Sequence, residues 1–207
     1  LAESLDRRKF LLRELDHRCK NTLAAVQSIA DQTLRTAASP SAFNEAFEAR
    51  LGALARAHEL LTKEGWGRAP LASIVSVALE PFGGVDGVRV TASGPRIDLR
   101  PEIAVALHMT LHELAVNAAR HGSLSVAGGK AHINWTVDMQ AEPRMLHLEW
   151  RELGGPPVRP PERNGFGRRL IERGLARDLD GHARLTFEPQ GVRFELKAPL
   201  SHKIGLS

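Results

Sequence analysis

The chain has 207 residues, 43% of them hydrophobic, which is enough for one or two domains with a buried core. Its single cysteine, Cys19, excludes an internal disulfide framework, and no apolar run approaches the length of a membrane span. The net charge is +4, but basic and acidic residues are interspersed, which argues against nucleic-acid binding. With a charged first segment unlike a signal peptide, we expect a cytoplasmic protein without direct membrane insertion.

Two long helices are predicted first along the chain. Residues from about Glu3 to Thr36 contain no proline or glycine, and their apolar residues follow spacings of three, four and seven. His17 falls away from this apolar seam, at a position that faces solvent. Ser39-Pro40 then supplies a cap and a first-turn proline, which predict a second helix to about Thr62. The short connection makes the two helices antiparallel neighbours, so a helical hairpin is predicted over residues 1–64.

A second domain is predicted after a linker. Glycines and a proline in residues 65–70 interrupt both helical patterns and indicate the linker. In residues 71–207, helices are predicted over Leu71–Leu79, Pro101–Gly122 and Phe166–Asp180, and strands over Val88–Ala92, His132–Val137, Leu146–Trp150, Leu185–Phe187 and Arg193–Leu196. This order predicts an α+β protein in which helices cover one face of a mixed, mostly antiparallel sheet.

The helix predicted over Pro101–Gly122 carries an unusual set of polar residues. Glu113 and Asn117 are four residues apart and project from one face, with Arg120 and His121 close behind. A carboxylate, an amide oxygen and a guanidinium could together hold water, a hard divalent cation such as Mg²⁺ and a phosphate chain. A solvated helix face has the same spacing, so the spacing alone leaves both interpretations open.

Two later motifs add candidate ligand groups. Glu152 comes at the end of a predicted strand and is followed by Gly154, where backbone can approach closely. A buried carboxylate there could accept a hydrogen bond from the exocyclic amine of adenine, although an ordinary strand exit has the same composition. The next predicted helix opens with glycines and arginines whose free N–H groups and charge suit a phosphate, in the run Gly165, Phe166, Gly167 and Arg168. The alternative interpretation of this glycine pair is an ordinary turn that binds no nucleotide.

Taken in order, HELAVNAARHG, WRELGGP, GFGRRL and a terminal hairpin resemble the ATP-binding domain of the GHKL superfamily and, within it, the HWE histidine kinases. The family is named for a His in its N box and a Trp-x-Glu in its first G box, which match His112, Trp150 and Glu152. The segment ELDHRCKNTLAAVQSIA is similar to the family's phosphoacceptor helix with its HRxKN core. The resemblance implies a GHKL, or Bergerat-type, α/β sandwich preceded by a hairpin for dimerisation and phosphotransfer.

The resemblance also implies residue roles. His17 would be the phosphorylated residue, Glu113 would orient water or the surroundings of the nucleophile, and Asn117 would bind Mg²⁺. The residue that would act as the base and accept the proton of His17 is not assigned. His112 and Trp150 are expected to serve packing. The implied nucleotide contacts are Asn117, Arg120, His121, Glu152, Gly154, Gly165, Phe166, Gly167 and Arg168.

By resemblance, the chain would be the core of a bacterial sensor histidine kinase in two-component signalling. It would autophosphorylate His17 from ATP and Mg²⁺ and pass the phosphoryl group to an aspartate of a separate response regulator receiver domain. An N-terminal sensor domain is expected outside this sequence, and both a homodimer and a monomer remain open. The alternatives are an anti-sigma-like switch protein that binds ATP and acts by protein binding, and a gyrase-like ATPase. Neither needs a reactive histidine, so the HRxKN core favours the kinase.

Overall fold

A computed structural model describes residues 2–85, 87–158 and 175–206, and for part of the first helix, including His17, it describes the backbone alone. The helices are α1 (Ala2–Thr36), α2 (Pro40–Lys63), α3 (Leu71–Leu79), α4 (Pro101–Arg120) and α5 (Ala176–Asp178). The strands are β1 (Ala69–Pro70), β2 (Val90–Ser93), β3 (Ile97–Leu99), β4 (Lys130–Asp138), β5 (Met145–Leu153), β6 (His182–Glu188), β7 (Gly191–Pro199) and β8 (Ile204–Leu206). Short 3₁₀ helices at Glu80–Phe82 and Ser123–Ser125 follow α3 and α4.

The chain divides into two compact units, Leu1–Leu51 and Gly52–Ser207. The division therefore lies inside α2, whereas the sequence places it at residues 65–70. Part of that predicted linker is β1, whose residues pair with β3. The domain bounds 1–64 and 71–207 stay predictions. No helix in the described ranges combines the length and the hydrophobicity needed to cross a membrane.

The first unit contains α1 and the beginning of α2. The cap predicted at Ser39 is present, because its hydroxyl accepts a hydrogen bond from the backbone N–H of Ala42 at 3.2 Å. Thr33 is buried, and its hydroxyl donates to the carbonyl of Ile29 at 2.6 Å and accepts from the guanidinium of Arg50 at 3.0 Å. The contact between Thr33 and Arg50 links the two helices near their connection.

Burial along the predicted apolar seam of α1 is uneven. Ile29 and Thr33 are buried, whereas Leu12 and Leu15 are 58% and 60% exposed. The described part of the seam is therefore covered toward the connection with α2 and open toward the N-terminus. An apolar helix stripe of this kind is stabilised chiefly by what packs on it.

A five-stranded sheet in the order β2-β4-β5-β7-β6 dominates the second unit. Only the β2–β4 pair is parallel among the strand pairs of this sheet, so the predicted mixed and mostly antiparallel character is confirmed. Alternate residues of β4 and β5 are buried, as expected for a sheet with one covered face. This face shares one apolar core with α3 and α4.

A second, three-stranded sheet in the order β1-β3-β8 was not predicted. Its strands have two or three residues each, which is too short to show the alternation that identifies a strand in sequence. Arg68 reinforces this sheet, since its guanidinium donates to the carbonyls of Asp98 at 3.2 Å and His202 at 2.7 Å. The sheet therefore joins the beginning of the second unit to its C-terminal segment.

The helix α4 buries a histidine that the apolar pattern does not explain. His108 is 1% exposed, and among the described residues neither of its ring nitrogens has a hydrogen-bond partner. Burial lowers the pKa of His108 to about 4 from 6.5, with smaller contributions from His112 and Arg56. The folded protein thus keeps this imidazole neutral at neutral pH.

Replacing His108 by leucine should weaken the dependence of stability on pH. Between pH 6.5 and about 4 the unfolded chain binds a proton that the folded chain does not, so the free energy of unfolding falls as the pH falls through this window. Complete titration corresponds to a loss on the order of 3 kcal/mol. Urea unfolding at several pH values should show a shallower slope for His108→Leu. The exposed His202→Leu should keep the original slope, and an unchanged slope in His108→Leu would contradict the assignment.

Candidate functional site

The candidate phosphate and metal residues lie at the C-terminal part of α4. Glu113 is buried, with 4% exposed, whereas Asn117, one turn later, is exposed. Arg120 and His121 are exposed as well. The backbone N–H of His121 donates to the carbonyl of Asn117 at 2.8 Å and ends the helix. An interior carboxylate and a surface amide therefore share one helix face, next to a guanidinium that reaches solvent.

The donor set of this face fits Mg²⁺. A carboxylate oxygen and an amide oxygen are ligands that the ion accepts, and Mg²⁺ is usually held by one or two protein groups together with substrate phosphates. No group of three or more His, Cys, Asp or Glu side chains that could hold a metal occurs in the described part of the chain. Such a group is not needed by an ion that retains water and phosphate ligands. Asn117, which is exposed, is the residue of this face that would hold Mg²⁺.

The Glu152 carboxylate lies inside the protein, between β5 and the turn that follows α4. The residue is 2% exposed. Its Oε2 accepts a hydrogen bond from the backbone N–H of Ser123 at 2.8 Å, and its Oε1 accepts one from the indole N–H of Trp150 at 3.4 Å. Burial raises the pKa of Glu152, and the hydrogen bonds from Ser123 and Trp150 act in the opposite direction. The two donors therefore favour the ionised form in a site that disfavours charge.

Glycines allow the close approach of backbone around this carboxylate. A Cβ at Gly122 would collide with the Glu152 carboxylate, and a Cβ at Gly155 would lie 2.7 Å from the Cα of Ser123. Gly154, one of the predicted nucleotide contacts, has φ of +71°, a left-handed conformation that favours glycine. The segment after β5 is therefore folded tightly against the end of α4.

The remaining predicted site residues are described incompletely. Gly165, Phe166, Gly167 and Arg168 lie outside the described residues, as does most of the helix predicted over Phe166–Asp180, of which α5 is the described end. His17 belongs to α1, and its side chain lies outside the described part. Beside it, Lys20 donates to the carboxylate of Asp16 at 2.7 Å, and this exposed pair raises the pKa of Lys20.

The structure thus brings Glu152 to the end of the helix that carries Glu113 and Asn117. Sequence reasoning missed Ser123, because its contribution is a backbone N–H that every residue except proline can supply. The hydrogen bond from Trp150 could have been predicted from the sequence, since residues two positions apart on a strand lie on the same face. His112 packs its ring against Phe82, with centroids 5.5 Å apart, in agreement with the expected packing role.

Adding a methyl group at Gly122 should disturb this site. We expect Gly122→Ala to lower the free energy of unfolding by about 1–3 kcal/mol, because the new Cβ collides with the buried carboxylate. Gly128→Ala is the matched control, since a Cβ there meets nothing within 4 Å. Urea unfolding of both variants measures the difference. Equal stability of the two variants would show that the end of α4 can shift without cost.

Comparison with known proteins gives the family. Residues 14–96, which include the HRCKN motif of α1, match the family described as HWE histidine kinase. The match places this part of the chain in the HWE histidine kinase family. The Blue-light-activated histidine kinase of Brucella anthropi is 40% identical over 189 residues, which cover 91% of this chain and 38% of the relative. Its namesake from Brucella ovis is 38% identical over 192 residues, covering 93% of this chain and 39% of the relative.

Solved structures of histidine kinases share the fold of this HWE chain. The Erythrobacter litoralis EL346 blue-light activated histidine kinase matches 92% of the chain and 61% of its own, with a TM-score of 0.63 and 18% identity. The histidine kinase domain from that protein matches 89% of the chain and 96% of its own, with a TM-score of 0.57 and 16% identity. The α+β architecture predicted from the sequence is confirmed. The chain spans about two fifths of the length of the curated relatives it matches, at 38% and 39%.

Proposed function

We propose that this chain is the core of an HWE sensor histidine kinase, in which His17 is phosphorylated by ATP and the phosphoryl group then passes to a response regulator. The observation that carries the proposal is the family match over residues 14–96, because this range contains His17 in its HRCKN motif. The buried Glu152 carboxylate beside α4 supports a nucleotide site in the same chain. Relatives named histidine kinases, similar over 91% and 93% of the chain, support the activity.

The nucleotide would be bound between the C-terminal end of α4 and the segment that follows β5. Glu152 would accept a hydrogen bond from the exocyclic amine of adenine, and Gly154 would let backbone close around the base. Arg120 and His121 are exposed and would contact the phosphates, together with the run Gly165, Phe166, Gly167 and Arg168. Asn117 would hold Mg²⁺, and the buried Glu113 would orient water or the surroundings of the nucleophile. When bound, the ion would neutralise charge that develops on the phosphates.

The chemical step would be a direct phosphoryl transfer. A ring nitrogen of His17 forms a bond to the γ-phosphorus of ATP while the bond from that phosphorus to ADP breaks. The protein contributes mainly by positioning the two groups and by stabilising charge on the phosphate oxygens. Arg120 is suited to the second task, because its guanidinium can donate to two oxygens at once. The phosphohistidine would then give its phosphoryl group to an aspartate carboxylate of the receiver domain.

The proposed partners follow from this role. The acceptor aspartate belongs to a separate response regulator receiver domain. A sensor domain N-terminal to α1 would supply the signal, in keeping with relatives more than twice as long as the matched part. We propose a cytoplasmic location for the kinase. A homodimer and a monomer are both compatible with the open part of the α1 seam.

Transfer of label from γ-labelled ATP to the purified chain tests the proposal. We expect label with Mg²⁺, stable in alkali and lost in acid, as a phosphohistidine requires. His17→Ala should lose the label completely, because the nucleophile is gone, while the exposed His202→Ala should keep it. Asn117→Ala should lower the labelling rate by about 100-fold or more, while the exposed Asn134→Ala should not.

Three outcomes would decide against parts of the proposal. Label retained by His17→Ala would remove the phosphoacceptor assignment. Full activity of Asn117→Ala would remove the assignment of Mg²⁺ to that residue. ATP binding without any labelling, also with the sensor domain restored, would favour a switch protein that acts by binding.

A further inference from the structure

Trp150 and Glu152 form a buried polar pair on β5. The two residues are two positions apart on one strand, so both side chains lie on the covered face of the sheet. Both are buried, and the indole N–H of Trp150 is 3.4 Å from Oε1 of Glu152. Here the donor is directed at the carboxylate that is proposed to accept the amine of adenine.

Both oxygens of the Glu152 carboxylate accept a hydrogen bond. Oε1 is held by the indole of Trp150, and Oε2 is held by the backbone N–H of Ser123 at 2.8 Å. An ionised carboxylate away from water is stable only when its oxygens accept such bonds. These two donors orient the plane of the carboxylate, because they approach different oxygens, and they act against the rise in the pKa of Glu152 that burial causes. The lone pairs that they leave are the ones a bound base can use.

We propose that Trp150 is a positioning residue for base recognition, whose indole N–H keeps the Glu152 carboxylate ionised and oriented to accept the exocyclic amine of adenine. The inference rests on the proposed function, since it requires Glu152 to contact the base. Trp150 itself does not touch the nucleotide in this scheme. Its effect reaches the nucleotide through one carboxylate oxygen.

The chain offers a matched control in Trp135. This residue is buried on β4, the strand next to β5, and its indole N–H donates to the carbonyl of Pro95 at 2.7 Å. Replacement of either tryptophan by phenylalanine removes one indole donor and similar ring volume from the same sheet. Only the change at Trp150 removes a donor from Glu152. If Trp150 had a purely structural role, the two variants would therefore show the same preference between nucleotides with and without the exocyclic amine.

Calorimetric titration with two nucleotides measures base recognition. The probes are ATP and purine riboside triphosphate, which lacks the exocyclic amine, each with Mg²⁺ between pH 5.5 and 8.5. We expect the wild-type chain to prefer ATP, and Trp150→Phe to reduce this preference by about three- to tenfold. The loss should be larger at low pH, because removal of a donor raises the pKa of Glu152 further and protonation then starts at a higher pH. Trp135→Phe should keep both the preference and its pH profile.

The outcomes separate this inference from the function on which it rests. A preference in Trp150→Phe equal to that in Trp135→Phe overturns the positioning role. If Glu152→Leu, which has no hydrogen-bond acceptor in its side chain, keeps the wild-type preference for ATP, Glu152 does not recognise the base and the assignment of the adenine contact to Glu152 is wrong. If Trp150→Phe fails to fold, 3-benzothienylalanine at position 150 replaces the N–H by sulfur in a ring of nearly the same shape. Unchanged preference in that variant, with 3-benzothienylalanine at position 135 as control, also overturns the inference.

Discussion

The burial of the Glu152 carboxylate constrains the architecture around it. A carboxylate that is buried away from water requires hydrogen-bond donors, and here they come from β5 itself and from the turn that follows α4. The backbone N–H of Ser123 is available because α4 has ended at Arg120 and Ser123 begins a separate 3₁₀ helix, and Gly122 has no Cβ that would collide with the carboxylate. The helix end, the strand and the glycine are therefore mutually dependent. Apolar packing holds α4 on the sheet, and the hydrogen bond from Ser123 to Glu152 adds a polar link at the end of this helix.

The same helix illustrates how burial assigns different tasks to similar residues. Glu113 lies inside and Asn117 outside, although both belong to one face at a spacing of one turn. His108 and His112 also lie inside, the first kept neutral by desolvation and the second packed on Phe82. A sequence pattern gives the face of the helix but not the depth at which each side chain lies. The depth of a side chain decides how strongly it is removed from water, as for His108. This depth depends on the elements that pack on the helix.

The sequence predicts the large elements well, because α1, α2, α4, β4 and β5 are long enough to show their periods. The sequence does not predict the very short strands or the contacts that backbone groups make. The sheet of β1, β3 and β8 has strands of two or three residues, so no alternation is visible in Ile97–Leu99. The identity of Glu152 as a buried carboxylate could be anticipated from its motif, whereas its donor at Ser123 could not. The domain division remains a prediction, with α2 shared between the two compact units.

The small sheet has a consequence for the order in which the second unit can fold. The guanidinium of Arg68 bonds a carbonyl 134 residues later in the chain, and β8 lies later still. Contacts of this separation close a very long loop and slow folding. During synthesis, β1 and β3 leave the ribosome long before β8 exists. The edge of β3 that pairs with β8 therefore stays unpaired until β8 emerges. The small sheet is thus completed only after the elements that carry the proposed nucleotide site have been made.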